Sequence, residues 1–162
     1  MSENTPDDAN ERIFAEIQEV YGVSYVSAIH RQIAGWPGFL EWAWDSVAPV
    51  FRNGAAQEAA RQCAQGLELT PLTPIPAVAL RGWGVDARAL AAAHSAAQGF
   101  VRVAPINMIF AGLIKAIIEG AKPGDDGPAQ AVALPTPLPP PPDMIDLAET
   151  DEATRALALA FA

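Results

Sequence analysis

Residues 22 to 44 read GVSYVSAIHRQIAGWPGFLEWAW, and this segment predicts two adjoining helices. Ser24 is a suitable N-cap for an amphipathic helix, because its hydroxyl can accept a hydrogen bond from a free backbone N–H of the first turn. The corner Gly35-Trp36-Pro37 ends that helix. Proline is tolerated in the first turn of a helix, so the pattern predicts another helix from Pro37 to Arg52. Two helices therefore meet at an aromatic corner.

The rest of the chain continues the helical pattern. Apolar residues at helical spacing predict further helices at residues 13–21, 57–67 and 86–120, and a short turn is expected at 77–81. Asp86 is the expected cap of the last of these helices, and Pro105 is expected to kink it. Its first half, residues 86–100, has small side chains on nearly every face, which predicts a buried position. No alternating strand pattern occurs, so the predicted fold class is all-α.

Length, charge and leader limit the function classes. The 162 residues are 51% hydrophobic, enough for one core and a tail. A net charge of -9 disfavours nucleic acid and anionic lipid surfaces as partners, because both bind clustered cations. The first residues are polar and acidic, unlike a secretory signal, so a cytoplasmic protein is expected. The apolar run Val103–Ile118 is too short and interrupted for a membrane span and predicts a buried helix.

Composition divides the chain into four parts. We predict a polar leader at 1–8, a helical repeat domain at 9–122, a proline-rich linker at 123–145 and an amphipathic terminal helix at 146–162. The prolines favour a stiff extended segment instead of packed structure. Thr150 or Asp151 is the expected cap of the terminal helix. This helix fits equally well as the start of a second repeat or as an ordinary C-terminal helix, because DEATRALALA at its start resembles DANERIFAEI near the N-terminus.

Few residues suggest chemistry by spacing alone. Cys63 is expected to be a small buried residue, since it lies among alanines. His30 and His94 lie in different predicted helices without metal-ligand spacing, so each is expected to be satisfied or solvent-facing, and no metal is predicted. Arg31 beside the Trp36 corner could bind a carboxylate, although it fits a solvent face better. No cofactor motif and no catalytic pair of carboxylates occurs.

Three segments carry a resemblance to a known family. They are Gly22–Trp44, the stretch FVRVAPINMIFAGL at Phe100–Leu113, and Asp143–Leu147 after the proline-rich segment. Together they resemble the first repeat of the group I (D,L-type) 2-haloacid dehalogenases, also known as halocarboxylic acid dehydrogenases. The resemblance implies an all-helical fold of two similar repeats related by a pseudo-twofold axis. It also implies a cofactor-independent hydrolysis of small 2-halocarboxylic acids at a site between the repeats.

The resemblance also indicates site residues. In the family an aspartate of the second repeat activates water and an asparagine of the first repeat places it. Ala104 stands at the asparagine position, and Ile29 would stand at the aspartate position if a second subunit supplied the missing half. Tyr25 and Ala28 fall where the family lines its pocket. We therefore expect Tyr25, Ala28, Ile29 and Ala104 to border a small carboxylic acid, with His30 as the nearest polar candidate for a base and the catalytic residues unassigned.

Three functions follow as alternatives. The first is a dehalogenase-like protein that forms a homodimer to rebuild the two-repeat arrangement. The second is a noncatalytic helical module for dimerisation or ligand binding, in which the linker and the terminal helix dock on a partner. The third is a truncated family member, which would leave the repeat interface bare.

Overall fold

The computed structural model describes residues 6–68, 70–122, 131–141, 148 and 150–160. Within these residues the secondary structure is entirely helical, which confirms the all-α prediction. The helices are α1 (Pro6–Tyr21), α2 (Ala28–Ala34), α3 (Phe39–Arg52), α4 (Ala55–Gln65), α5 (Ala77–Gly82), α6 (Ala87–Ile118) and α7 (Glu152–Ala160). Residues 1–5 of the predicted leader (1–8), residues 123–130 and 142–145 of the predicted linker (123–145) and the motif at 143–147 lie outside the described residues.

The core forms where α1, α3, α4 and α6 pack together. Its largest buried side chains are aromatic: Tyr21 stacks on Phe51 with ring centroids 5.6 Å apart, and Phe51 meets Phe110 edge to face at 6.2 Å. Gln57 of α4 joins the core by donating hydrogen bonds from Nε2 to the carbonyl oxygens of Val20 (2.8 Å) and Phe51 (2.9 Å). These bonds fix α4 to the ends of α1 and α3.

The end of α1 and the starts of α6 and α7 follow the predicted chemistry. Helix α1 ends at Gly22, which has a φ of +64°. Glycine adopts this left-handed conformation without the strain that a side chain would cause. The Asp86 carboxylate accepts a hydrogen bond from the N–H of Ala89, and the Asp151 carboxylate accepts one from Thr154, which confirms both caps. The Ser24 cap is wrong, because α2 begins only at Ala28 and residues 24 to 27 form an irregular turn.

Helix α6 differs most from the prediction. Its 32 residues run through Pro105 without interruption. Residues 87–98 are mostly exposed instead of buried, and Val103–Ile118 is buried along one side only. The prediction failed because small side chains permit close packing without requiring it. By length and composition α6 could cross a membrane, with a mean hydropathy of 1.7 over an 18-residue window of which 22% is buried.

Residues 131–141 form neither helix nor strand, and we call this segment the strap. The N–H of Val132 donates to the carbonyl oxygen of Asn53 (2.7 Å), and the N–H of Leu138 donates to that of Gly22 (2.9 Å). The Leu138 side chain packs against the hydrophobic core. The expectation that this segment lacks packed structure is wrong. Its backbone groups find partners on the helices.

Candidate functional site

A chain of hydrogen bonds crosses the seam between α2 and α6. His30 lies at its centre, with Nε2 3.3 Å from the Tyr21 hydroxyl and Nδ1 2.8 Å from Oγ of Ser27. Ser27 in turn donates to Oδ1 of Asn107 over 3.0 Å. The chain therefore joins α1, the start of α2 and the middle of α6.

The hydrogen bonds of this chain all donate in one direction, from Tyr21 toward Asn107. Because the Ser27 hydroxyl donates to Asn107, its oxygen can accept the proton of His30 Nδ1. The unprotonated Nε2 of His30 then accepts from the Tyr21 hydroxyl. The chain ends at the half-buried Asn107, whose Nδ2 makes no hydrogen bond with the described part of the protein. Two amide N–H donors are thus available at the seam.

Burial keeps this chain neutral. His30 is 0% exposed and lies against Phe110 with ring centroids 4.5 Å apart. Desolvation lowers the pKa of His30 to about 4, so its imidazole is uncharged near neutral pH. Burial also raises the pKa of the Tyr21 hydroxyl, which therefore stays protonated and remains a donor. A neutral, fully enclosed imidazole orients Ser27 and does not itself meet a ligand.

The structure distributes the sequence-predicted site residues around this seam. Tyr25 is half-buried near Gly99, and Ala28 is exposed directly after Ser27. Ala104 is exposed on α6, about one helical turn before Asn107. Tyr25 and Ala28 thus lie in the segment beside one end of the Ser27–Asn107 bridge, and Ala104 lies on the helix at its other end.

Ile29 borders a different feature, an apolar groove. This groove between α2, α3 and α6 has a volume of about 300 Å³. Its walls are mainly aliphatic and aromatic, formed by Ile29, Ile33, Phe39, Phe110, Ala111, Ile114 and Ile118. Lys115 and Glu119 also line it, and their side chains form an ion pair at 2.6 Å. Phe110 touches both the groove and His30, so the groove lies beside the hydrogen-bond chain.

Sequence reasoning missed Ser27 and Asn107. Ser27 precedes His30 by three residues, a spacing that brings two side chains together at a helix start. Asn107 is a polar residue inside the apolar run of α6, where an amide needs a partner. Both signals were present, but the pairing spans 80 positions and no local pattern specifies it.

The other candidate residues lie away from the seam bridge. Cys63 is exposed, so its predicted burial is wrong: α4 turns this side of the helix to solvent. His94 is exposed on α6, and Arg31 is exposed on α2. Among the described residues no group of three or more His, Cys, Asp or Glu side chains could hold a metal ion.

Comparison with known proteins adds no assignment to this geometry. The chain matches no family model, no curated protein and no solved structure.

Proposed function

We propose that the protein is a single-repeat, 2-haloacid dehalogenase-like protein that binds a small 2-halocarboxylic acid at the α2–α6 seam and hydrolyses it as a homodimer. The observation that carries this proposal is the directed hydrogen-bond chain ending at Asn107. In the reaction, water forms a bond to carbon 2 of the acid and the carbon–halogen bond breaks. The products are a 2-hydroxy acid, halide and a proton.

Asn107 is the residue to which we assign the placing of water or carboxylate. The family that the sequence resembles uses an asparagine for this purpose at the position of Ala104. Asn107 lies about one turn further along the same helix. Its Oδ1 is held by Ser27, so its Nδ2 donors have a fixed direction. A donor held in place in this way stabilises a developing negative charge better than a freely rotating one.

His30 is proposed as a positioning residue and not as the base. Both of its ring nitrogens are within hydrogen-bond distance of Tyr21 and Ser27, and its side chain is enclosed. No Asp or Glu of the described residues hydrogen-bonds to Ser27, His30 or Asn107. The base is therefore left unassigned. The earlier expectation that His30 is the nearest polar candidate for a base does not fit this burial.

The homodimer part of the proposal rests on the outer face of α6. We define this face by Phe100, Ala104, Met108 and Ile118, which share one side of the helix by their spacing. Phe100 is 70% exposed, Met108 73% and Ile118 64%. The exposed Lys115 interrupts this face between Met108 and Ile118 and is paired with Glu119, so the apolar part at Phe100, Ala104 and Met108 is the proposed association surface. A second copy packed on it would cover Ala104 and close the seam from solvent.

Halide release tests the reaction directly. Purified protein is incubated with racemic 2-chloropropionate, chloride is measured against an enzyme-free control, and the mass is determined by light scattering in the same preparation. We expect chloride release from a dimer. The variant Asn107→Ala should release chloride at no more than about one tenth of the original rate, because a fixed donor is lost.

A matched variant separates this role from a general loss of structure. Asn10→Ala removes another half-buried asparagine, on α1, and should keep the full rate. Full activity in Asn107→Ala would contradict the assigned role. A monomer that binds lipid vesicles would contradict the dimer, since α6 is also apolar enough to cross a membrane.

The second candidate function is a noncatalytic binding module. It is favoured by the missing base among the described residues around Asn107 and by the enclosure of His30. In this case 2-chloropropionate would bind, as measured by calorimetry, but no chloride would appear. The same pair of measurements therefore decides between an enzyme and a module.

A further inference from the structure

A second and larger cavity lies on another side of α6. This strap cleft, between α4, α6 and the strap, has a volume of about 1090 Å³. Its walls are mostly apolar, with Ala60, Ala97, Val101, Ile106, Val132 and Leu138 as representative residues. Ligand sites typically combine such apolar walls with a few fixed polar groups. The cleft is far larger than a three-carbon acid requires.

Arg102 supplies a fixed cation in this cleft. It is half-buried, and its Nη1 donates to the carbonyl oxygens of Gly22 (2.8 Å) and Thr136 (2.6 Å). These two bonds hold the guanidinium in place without neutralising it. Its Nε and Nη2 donors make no hydrogen bond, and no carboxylate forms an ion pair with it, within the described residues.

The other charges of the cleft cancel each other. Arg61 binds the carboxylate of Glu58 through two of its nitrogen atoms and the amide oxygen of Gln65 through the third. His94 also lines the cleft. Arg102 is therefore the side chain that gives the described walls a net positive charge. A planar guanidinium with two free donors suits a carboxylate, which can accept two parallel hydrogen bonds.

From these contacts we infer that the strap cleft binds a monocarboxylic acid with an apolar chain of medium length. The carboxylate accepts hydrogen bonds from Nε and Nη2 of Arg102, and the chain lies against the walls formed by Val101 and Leu138. This site is separate from the α2–α6 seam and does not depend on the proposed dehalogenase function. Its ligand differs from a 2-halocarboxylic acid in having a longer apolar chain.

Calorimetric titration with octanoate and with its neutral analogue octanamide tests the site. We expect octanoate to bind at least about tenfold more tightly than octanamide, since a charged hydrogen-bonded pair adds that much affinity. In Arg102→Gln the octanoate affinity should fall to that of octanamide. The octanamide affinity should stay the same, because the apolar walls remain.

The neutral ligand controls for a disturbed fold, since Arg102 also holds the strap. Arg88→Gln serves as a matched variant, because Arg88 is exposed near the start of α6 outside the cleft, and it should bind both ligands as the original protein does. Absence of octanoate binding to the unmodified protein would overturn the inference. Equal affinity of the unmodified protein for octanoate and octanamide would also overturn it, since the charge would then have no specific role.

Discussion

The hydroxyl of Ser27 donates to Oδ1 of Asn107 over 3.0 Å and so joins residues 80 positions apart. Ser27 lies at the start of α2, a helix of seven residues that would be marginal on its own. Asn107 lies in the middle of the long helix α6. This contact, continued through His30 to Tyr21, fixes α2 on the core and gives Asn107 its orientation.

Replacing Ser27 should destabilise the fold. In Ser27→Ala both His30 Nδ1 and Asn107 Oδ1 lose a partner, and an unpaired buried polar group costs about 1–3 kcal/mol. The free energy of unfolding, measured by urea denaturation, should fall by that amount. Ser46→Ala is the matched control, because its hydroxyl bonds only to the Trp42 carbonyl of its own helix, and should change it by less than about 0.5 kcal/mol. Equal losses of unfolding free energy in Ser27→Ala and Ser46→Ala would contradict the hydrogen-bond chain through Ser27.

The buried histidine should make stability depend on pH. Burial lowers the pKa of His30 from 6.5 to about 4, so between these values the unfolded chain binds a proton that the folded chain does not. The contribution of neutral His30 is complete above pH 6.5 and is lost as the pH falls toward 4. The loss amounts to about 3 kcal/mol. Urea denaturation at pH values from 7 to 4 measures it.

Two histidine variants isolate this effect from that of the carboxylates. His30→Gln cannot gain a proton, so its stability should fall less between pH 6.5 and 4 than that of the unmodified protein. His94→Gln makes the same substitution at an exposed histidine of α6 and serves as the matched variant. Identical profiles for the unmodified protein and His30→Gln would show that His30 is not buried in the neutral form.

Glu16 should stabilise the fold more through its hydrogen bond with Trp44 than through its ion pair with Arg52. The Glu16 carboxylate accepts a hydrogen bond from Nε1 of the buried Trp44 (2.9 Å) and pairs with the exposed Arg52. Glu16→Ala leaves the buried indole N–H unpaired and should cost about 1–3 kcal/mol. Glu16→Gln retains an acceptor for Trp44 and loses only a surface ion pair, which is worth less than about 1 kcal/mol. Thermal unfolding compares the two variants, and equal losses would contradict this division.

The same carboxylate should also respond to acid. The hydrogen bond from Arg52 holds the pKa of Glu16 below its ordinary value, so its contribution is present above pH 4.5 and is lost as the pH falls further. This window overlaps that of His30 only between pH 4.5 and 4 and otherwise lies below it. The fall in unfolding free energy below pH 4.5 should therefore be smaller in Glu16→Gln than in the unmodified protein. The pH dependence between 6.5 and 4.5 should be unchanged.

The helices could be predicted from the sequence because the signals at their ends act over only a few neighbouring residues. Gly22 and Asp86 act within one turn, through a positive φ and a capping carboxylate, so their roles can be derived from a few residues. The exposure of α6 could not be derived in the same way. Small side chains such as Ala97 and Ala104 fit a buried or an exposed face equally, and only the position of the other helices decides between them.

The candidate site was predictable only in part. The family resemblance directed attention to Ala104 and the start of α2, and the structure places the polar bridge beside both. Ser27 and Asn107 themselves were missed, because pairing across 80 positions depends on tertiary packing. The strap was misjudged for a related reason: proline composition predicts an extended chain, but docking depends on acceptors such as the Gly22 carbonyl.

Docking of the strap should require a glycine at position 54. Gly38 and Gly54 are the N-caps of α3 and α4 with φ of +72° and +79°, so an alanine at either position should cost a similar backbone strain of about 1 kcal/mol. A Cβ at Gly54 would in addition overlap the carbonyl of Val132, whereas nothing lies within 4 Å of one at Gly38. Gly54→Ala should therefore displace the strap, and Gly38→Ala should not.

Hydrogen exchange at the backbone N–H of Val132 measures this difference. This N–H donates to the Asn53 carbonyl over 2.7 Å when the strap is docked, so undocking should speed its exchange. We expect faster exchange in Gly54→Ala and an unchanged rate in Gly38→Ala, although both variants lose stability. Because the two variants share the backbone strain, a difference between them reports the contact alone. Equal exchange rates would show that the strap is held by its other contacts, at Gly22 and Arg102, and not at Gly54.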